Sequence, residues 1–471
     1  MHIPPAADKT TSMTSTTIPP GHVGNLTPEQ EEKLKKMWAA LYRIFGVTSS
    51  GDDTSATTNG TLALPGSSSG TAKDGEKEKL KKKSLFSRKP KEPTDAAIAQ
   101  ADADDKYGQT KLFQETLQKE TPDALRNSLW SMIKHDDPDS LTLRFLRARK
   151  WDVEKALIMF ISAVSWRSSE MKLDTDIMVN GDAGALRDSI SGTGDAKIDG
   201  MGLMDQIRMG KAFFHGCDKE SRPLCFVRVR LHHQGEQSEA SQERNTVLLI
   251  ETARLMLQPP VETATIVFDM TGFSISNMDY APVKFMIKCF EANYPECLGV
   301  VLVYKAPWVF QGFWKIIRGW LDPVVANKIK FVNSVKDLSA YIPEDRIPQE
   351  LDGTENWSYK YVEPVDGEND LMKDTATRDK IQAERDQYYK DFEQSTIRWI
   401  KGDSDTTSQR NEVKAKLRQN YWTLDPYIRA RSLYDRTGVL NPGGKVTYYP
   451  TNSDASSSAT AVSETPATGA K

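Results

Sequence analysis

Apolar positions recur along the chain with two different periods, and the change from one to the other divides it. Leu34, Met37, Trp38, Leu41 and Ile44 follow helical spacing behind the start signal Thr27-Pro28-Glu29, with Gly46 as the stop. Helical texture returns at Gln109. Pro122 opens a helix through Leu125, Leu129, Trp130 and Ile133. Asp139 or Ser140 is expected to cap the next, which ends near Lys150, and Asp152 caps a third carrying Val153, Ala156, Leu157, Phe160 and Val164. After Arg208 strand-length apolar runs (Pro223 to Val229, Thr263 to Met270, Leu298 to Tyr304, Ile329 to Val332) alternate with helical patterns (Ser238 to Leu257, Ala281 to Asn293). The fold class that follows is α/β: an all-helical unit, then a mainly parallel sheet with helical crossovers.

One segment breaks the amphipathic rule. Phe310, Phe313, Trp314, Ile317 and Leu321 lie on one helical face, while Trp308, Ile316 and Trp320 load much of the rest. Only Lys315 and Arg318 are charged there. Such a helix is either wholly buried or meets something other than water. It is too short for a bilayer span, which needs roughly 20 residues. The expectation is a movable wall over a lipid-sized cavity.

Composition narrows the classes. The 471 residues leave room for two or three domains, and a net charge of -3 gives no global case for nucleic acid. The N-terminus lacks the charged and apolar regions of a signal peptide, and no long apolar run occurs. Cys217, Cys225, Cys289 and Cys297 form no CxxC pair and lie in apolar text, so they read as buried reduced thiols of a cytoplasmic protein, with neither metal site nor disulfide frame. Low-complexity text from Val47 to about Asp105 includes the basic run at 77–91. That run suits linker solvation, nuclear import or contact with anionic lipid. The charged stretch Asn369 to Ile400 reads as helix, and Tyr421 to Tyr449 is rich in aromatics and Arg.

Catalytic signals are poor. The GxSxG at Gly66 to Gly70 lies in low-complexity text, without the strand and helix that a nucleophile elbow needs. No phosphate-loop motif occurs, and no histidine stands beside a nucleophile; the reading is a non-enzyme without cofactor. Two basic or paired constellations remain. Arg144, Arg147, Arg149 and Lys150 lie within two helical turns, a set that suits a phosphate and equally a solvated helix face. Glu296 and Lys328 precede two predicted strands, so neighbouring parallel strands would bring them to one sheet edge. A carboxylate and an ammonium there suit a polyhydroxylated headgroup, or form an ordinary surface pair.

Several motifs in order resemble the CRAL-TRIO lipid-binding family: LRFLRARKWDV with SWR, DKESRPLCFVRVR, FDMTGFSISNMD, FEANYPECLGVVLVYKAPWVFQGFWKIIRGWLDPVVANKIKF and IPEDRIPQELDGT. The wording is similar to fungal phosphatidylinositol transfer proteins of the Csr-one type. The resemblance implies a sheet-floored cavity for one lipid under a gate helix comprising Trp308, Phe310, Phe313, Trp314, Ile317, Trp320 and Leu321. It places phosphatidylinositol headgroup contacts at Arg149, Lys150, Glu296 and Lys328. At positions where choline-lipid binders carry tyrosines and hydroxyls, this chain has Phe214, Cys225, Ala264 and Ile266, taken as cavity lining. Phosphatidylcholine is therefore disfavoured, and a sterol or squalene is the expected second ligand. Val325 stands where some members have Thr.

The resulting division is 1–25 disordered, 26–46 a helix of the N-terminal unit, 47–106 a disordered insertion and 107–180 the helical domain. The lipid-binding domain follows at 181–355, then a partly helical extension at 356–450 and a disordered tail at 451–471. The expected function is phosphatidylinositol transfer with transient membrane contact, by a cytoplasmic protein peripheral on intracellular membranes. The alternative is a lipid sensor presenting its ligand to a phosphoinositide-metabolising enzyme.

Overall fold

The computed structural model describes residues 18–47, 105–403 and 406–450. The expected disordered insertion, its basic run and its GxSxG text lie almost wholly outside these, as does the tail from 451. Residues 18–25, expected to be disordered, are held in place: Arg147 donates to the Gly21 carbonyl at 3.0 Å, and Asn25 donates to that of Ile18 at 2.7 Å.

Helix α1 (Pro28–Phe45) begins where predicted, through reciprocal hydrogen bonds between Thr27 and Gln30, and ends at Gly46 with φ 66°. It packs with α2 (Gln109–Lys119), α3 (Pro122–Ile133), α4 (Pro138–Ala148) and α5 (Val153–Ser165). The cap of α4 is Asp137, not Asp139 or Ser140. Asp139 is buried, accepting from the Trp38 indole at 2.8 Å and pairing with Arg410 at 2.8 Å and Lys414 at 2.5 Å. Arg410 and Lys414 come from the C-terminal extension, whose helices α13 (Thr375–Ile400) and α14 (Thr406–Ile428) complete this core. Tyr389 stacks on Trp130 at 4.2 Å, and Glu393 takes a two-pronged bond from Arg126 at 2.7 and 2.9 Å.

Helices α6 (Met178–Ser191) and α7 (Gly194–Arg208) carry little periodicity and were not predicted; α6 runs across the expected boundary at 180. The sheet then forms in the order β1 (Ala212–Cys217), β2 (Pro223–Arg228), β3 (Ala264–Asp269), β4 (Leu298–Tyr304), β5 (Ile329–Val332). β1 pairs antiparallel with β2, and the other pairs are parallel, as helical crossovers require. The crossovers are α8 (Glu239–Met256), α9 (Tyr280–Lys288) and the pair α10 (Phe310–Arg318) with α11 (Pro323–Asn327). The predicted helix to Asn293 changes to a π turn at Cys289.

Alternation sorts the strand residues between two faces. Leu224, Phe226, Val267, Val300, Leu302 and Tyr304 pack under the segment of 335–359, which includes α12 (Val335–Leu338). The opposite face carries Cys225, Ile266, Val301 and Val303 toward α8, α9 and α10. The two halves are joined by a buried ion cluster. Glu251 on α8 accepts from Lys134 at 2.6 Å, Arg167 at 2.6 Å and the Tyr294 hydroxyl at 2.9 Å.

The outer edge of β1 is covered by the extension. The Phe214 amide donates to the Tyr434 hydroxyl at 2.7 Å, with Tyr434 on α15 (Leu433–Arg436), and the Cys217 amide donates to Tyr449 at 3.3 Å. A short hairpin, β6 (Leu440–Asn441) with β7 (Lys445–Val446), lies between the two tyrosines.

Candidate functional site

Between the sheet and helices α8 to α10 lies a cavity with about 1610 Å³ of space free of protein atoms, its mouth included. Its walls are almost entirely hydrocarbon: Val227, Ile266, Phe268, Met286, Val301 and Ile317 are representative.

Helix α10 forms one wall with a single face. Phe310, Phe313 and Ile317 are buried and line the cavity with Trp314 and Leu321. On the helix Ile316 faces outward at 46% exposed, and to either side of it Trp308, just before α10, is 86% exposed and Val324, on α11, 51%. Trp320 lies outside the lining, edge-on to Tyr280 at 5.3 Å. The helix is thus not buried all round: it is amphipathic, with Gln311, Lys315 and Arg318 on its outer face and Ile316 the hydrophobic residue exposed among them.

Of the four other positions expected to line the cavity, Cys225 and Ile266 do so. Phe214 and Ala264 lie outside the lining, and Phe214 instead packs edge-on against Tyr434 at 5.8 Å. The hydroxyl of Thr265, next to Ile266, points to the far face and donates to Asp218 at 2.7 Å. The thiols of Cys225 and Cys289 are buried, whereas Cys217 and Cys297 are half-buried, and all four are unpaired.

Glu296 and Lys328 meet at 3.7 Å, each about a quarter exposed. Each stands where a strand begins: Leu298 and Ile329, which line the cavity, follow within two residues. The pair therefore marks the entry end of β4 and β5. Arg149 reaches the same neighbourhood indirectly, donating to Gln109 at 2.7 Å while Gln109 donates to the Ala292 carbonyl at 3.2 Å. Lys150 is exposed. Lys150 and Glu296 both hold left-handed backbone, at φ 51° and 56°, a conformation that costs of order 1–3 kcal/mol outside glycine and clusters at functional sites. The remaining arginines of the basic run are occupied: Arg147 pairs with Glu262 at 2.9 Å, and Arg144 lies 3.7 Å from Asp136. Burial pushes the Arg147 pKa down, offset in part by Glu262 and, more weakly, by Glu296.

Two features carried no sequence signal. Glu291 gathers three donors at 2.7 Å: the Lys106 ammonium, the Tyr107 hydroxyl and the Asp322 amide beyond α10. Lys106 also donates to the Trp320 carbonyl. At the far end of the cavity a polar group, Lys211 with Gln206, His232, Asn245 and Asp279, joins the lining. His232 and Lys211 stand twenty-one positions apart in the sequence, and only the fold brings them to one place.

Residues 207–353 match the model of the CRAL/TRIO domain and residues 109–162 that of the CRAL/TRIO N-terminal domain. A CRAL-TRIO domain-containing protein of Schizosaccharomyces pombe is 43% identical over 92% of this chain and 96% of its own length. The chain belongs to the CRAL-TRIO family. Within that family it is also 39% identical to the phosphatidylinositol transfer protein CSR1 of Eremothecium gossypii, over 90% of this chain and 99% of that one. Among solved structures, Sfh5 shares 16% identity at a TM-score of 0.37, covering 56% of this chain and 86% of that one, too low to support a conclusion. The CRAL-TRIO match spans both the helical unit and the sheet. No helix among the described residues is long and apolar enough to cross a membrane.

Proposed function

We propose that this protein binds phosphatidylinositol in the cavity and carries it between membranes without chemically altering it. The observation that carries this reading is the joining of a large hydrocarbon cavity to a carboxylate–ammonium pair at its rim. Acyl chains take the cavity; Glu296 accepts from inositol hydroxyls and Lys328 donates to them or to the phosphate, with Arg149 and Lys150 supplying further positive charge nearby. The similarity to a protein named a phosphatidylinositol transfer protein supports the choice of headgroup.

Helix α10 acts as the gate. Burying its three inner side chains contributes roughly 2 kcal/mol each, which in water holds it shut. At a membrane surface Trp308, Ile316 and Val324 enter the interface, and the inner face exchanges one apolar surrounding for another. The cost of opening is then largely removed. A second, apolar lipid occupies the same space when the inositol lipid leaves. Transfer of fluorescent phosphatidylinositol between vesicles by the purified full chain tests this, and a rate equal to the protein-free rate would refute it.

A further inference from the structure

Lys211 and the pair of Glu296 and Lys328 mark opposite ends of the cavity. The Lys211 carbonyl accepts from the Arg228 amide at 2.9 Å, which fixes it at the exit end of β2. Glu296 and Lys328 stand at the entry ends of β4 and β5. The seven residues of β4 rise about 20 Å at ~3.3 Å each. That length is comparable to one leaflet's share of a hydrocarbon core roughly 30 Å thick.

The charged groups that line the cavity differ in how they are satisfied. Arg228 is held by both oxygens of Glu350, each at 2.6 Å. His232 and Asp279 hold one another at 3.2 Å. Lys211 is only 8% exposed, yet its ammonium donates to a neutral partner, the Gln237 side chain, at 2.9 Å. No carboxylate among the described residues comes within ion-pair distance of it; Glu236 and Asp279 act on it only from farther away. The amides of Gln206 and Asn245, joined at 3.3 Å, line the same end. An ammonium has three N–H donors, and a buried cation without a counter-charge is costly. What would complete this site is an anion carried on a hydrocarbon chain.

We infer that Lys211 receives the carboxylate of a single-chain fatty-acid-type lipid, which lies in the cavity in the sense opposite to phosphatidylinositol and excludes its acyl chains. This deepens the reading of the cavity as a lipid site, but it does not depend on which headgroup sits at Glu296 and Lys328. It also changes the expected second ligand, since squalene brings no oxygen to Lys211.

Binding of radiolabelled oleate to the delipidated full chain tests it, with Lys211→Met, Lys211→Gln and oleyl alcohol as comparisons and thermal melting to confirm folding. The expected result is saturable one-site binding that weakens at least tenfold in both variants, and at least tenfold for the alcohol. Oleate binding unchanged in a folded Lys211 variant overturns the inference, as does equal affinity for oleyl alcohol or squalene. Binding that falls with Glu296→Ala and Lys328→Ala instead would put the carboxylate at the wrong end and also overturn it. Lys211-dependent oleate binding by a protein that transfers no phosphatidylinositol would remove the transfer proposal and leave this one standing.

Discussion

Glu296 and Lys328 face each other at 3.7 Å across the entry ends of two neighbouring strands, although the whole of α10 and α11 separates them in sequence. Being partly exposed, the pair adds no more than about 1 kcal/mol to stability. Replacing both by Ala should leave the melting temperature nearly unchanged while phosphatidylinositol transfer falls at least tenfold. Single replacements should show non-additive losses, since each partner left alone presents an unpaired charge to the headgroup. Transfer assays with the two single variants and the double variant measure this directly.

The Glu291 carboxylate ties the segment at Lys106 and Tyr107 to the chain just beyond α10. Glu291→Ala frees three donors at once and should loosen the gate. Lipid dissociation into acceptor vesicles is expected to accelerate several-fold, with melting lowered by only a few degrees. An unchanged dissociation rate would show that α10 moves independently of this contact.

Removing everything after residue 360 should abolish folding of the helical unit. Tyr389 and Phe392 belong to its core, and Asp139 would lose Arg410 and Lys414. A buried carboxylate stripped of its partners costs about 3–5 kcal/mol, before the lost apolar burial is added. Circular dichroism of the truncated chain, and its solubility on expression, check this.

Acid should destabilise the protein below about pH 4. Burial alone would raise the Glu251 carboxyl, but Arg167, Lys134 and Arg254 carry it well below the usual range. Asp136 is likewise raised by burial and drawn down to about 2 by Arg144 and Arg254. Folded values below the unfolded ones mean stability present above about pH 4 and lost as pH falls toward 2. Glu251→Gln should cost about 3–5 kcal/mol at pH 7 and flatten that acid dependence. Urea titrations from pH 3 to 7 give both slopes.

Lys211 has the opposite sign. Burial pushes its ammonium down to about 8, only partly opposed by Glu236 and Asp279. Between there and the unfolded value of about 10.4, the unfolded chain holds more protons, so stability from this group rises with pH. The empty Lys211→Met protein should therefore be the more stable at pH 7, by about 1–3 kcal/mol. The difference should shrink toward pH 10, as paired urea titrations would show.

Much of the fold was legible because buried parallel strands leave continuous apolar runs, of which Leu298 to Tyr304 is the clearest; the edge strand Ile329 to Val332, with Lys330 exposed, also has the predicted limits. The Glu296–Lys328 pair was legible for the same reason, since strand starts fix both residues. The C-terminal helices hid their role. Arg385 and Glu393 lie in a stretch read only as charged helix, and Arg410 beyond it carried no reading, yet each is buried against a partner far away in sequence. Asp139 misled in the same way, serving as a buried anchor where a helix cap was expected. Lys211 was invisible because its character comes from what the fold leaves out of its surroundings, and a sequence does not record an absent counter-charge.

The two tyrosine hydroxyls against β1 affect what one copy of this protein can do to another. An uncovered edge strand offers its amides as a template for another chain, the usual start of strand-mediated aggregation. Here Tyr434 and Tyr449 accept from Phe214 and Cys217, at positions a foreign strand would need. Under the proposed function the hydrocarbon-lined interior opens repeatedly, which invites self-association, and the extension withholds one ready site for it. Tyr434 and Tyr449 thus act against strand-to-strand pairing of two copies at this edge of the sheet.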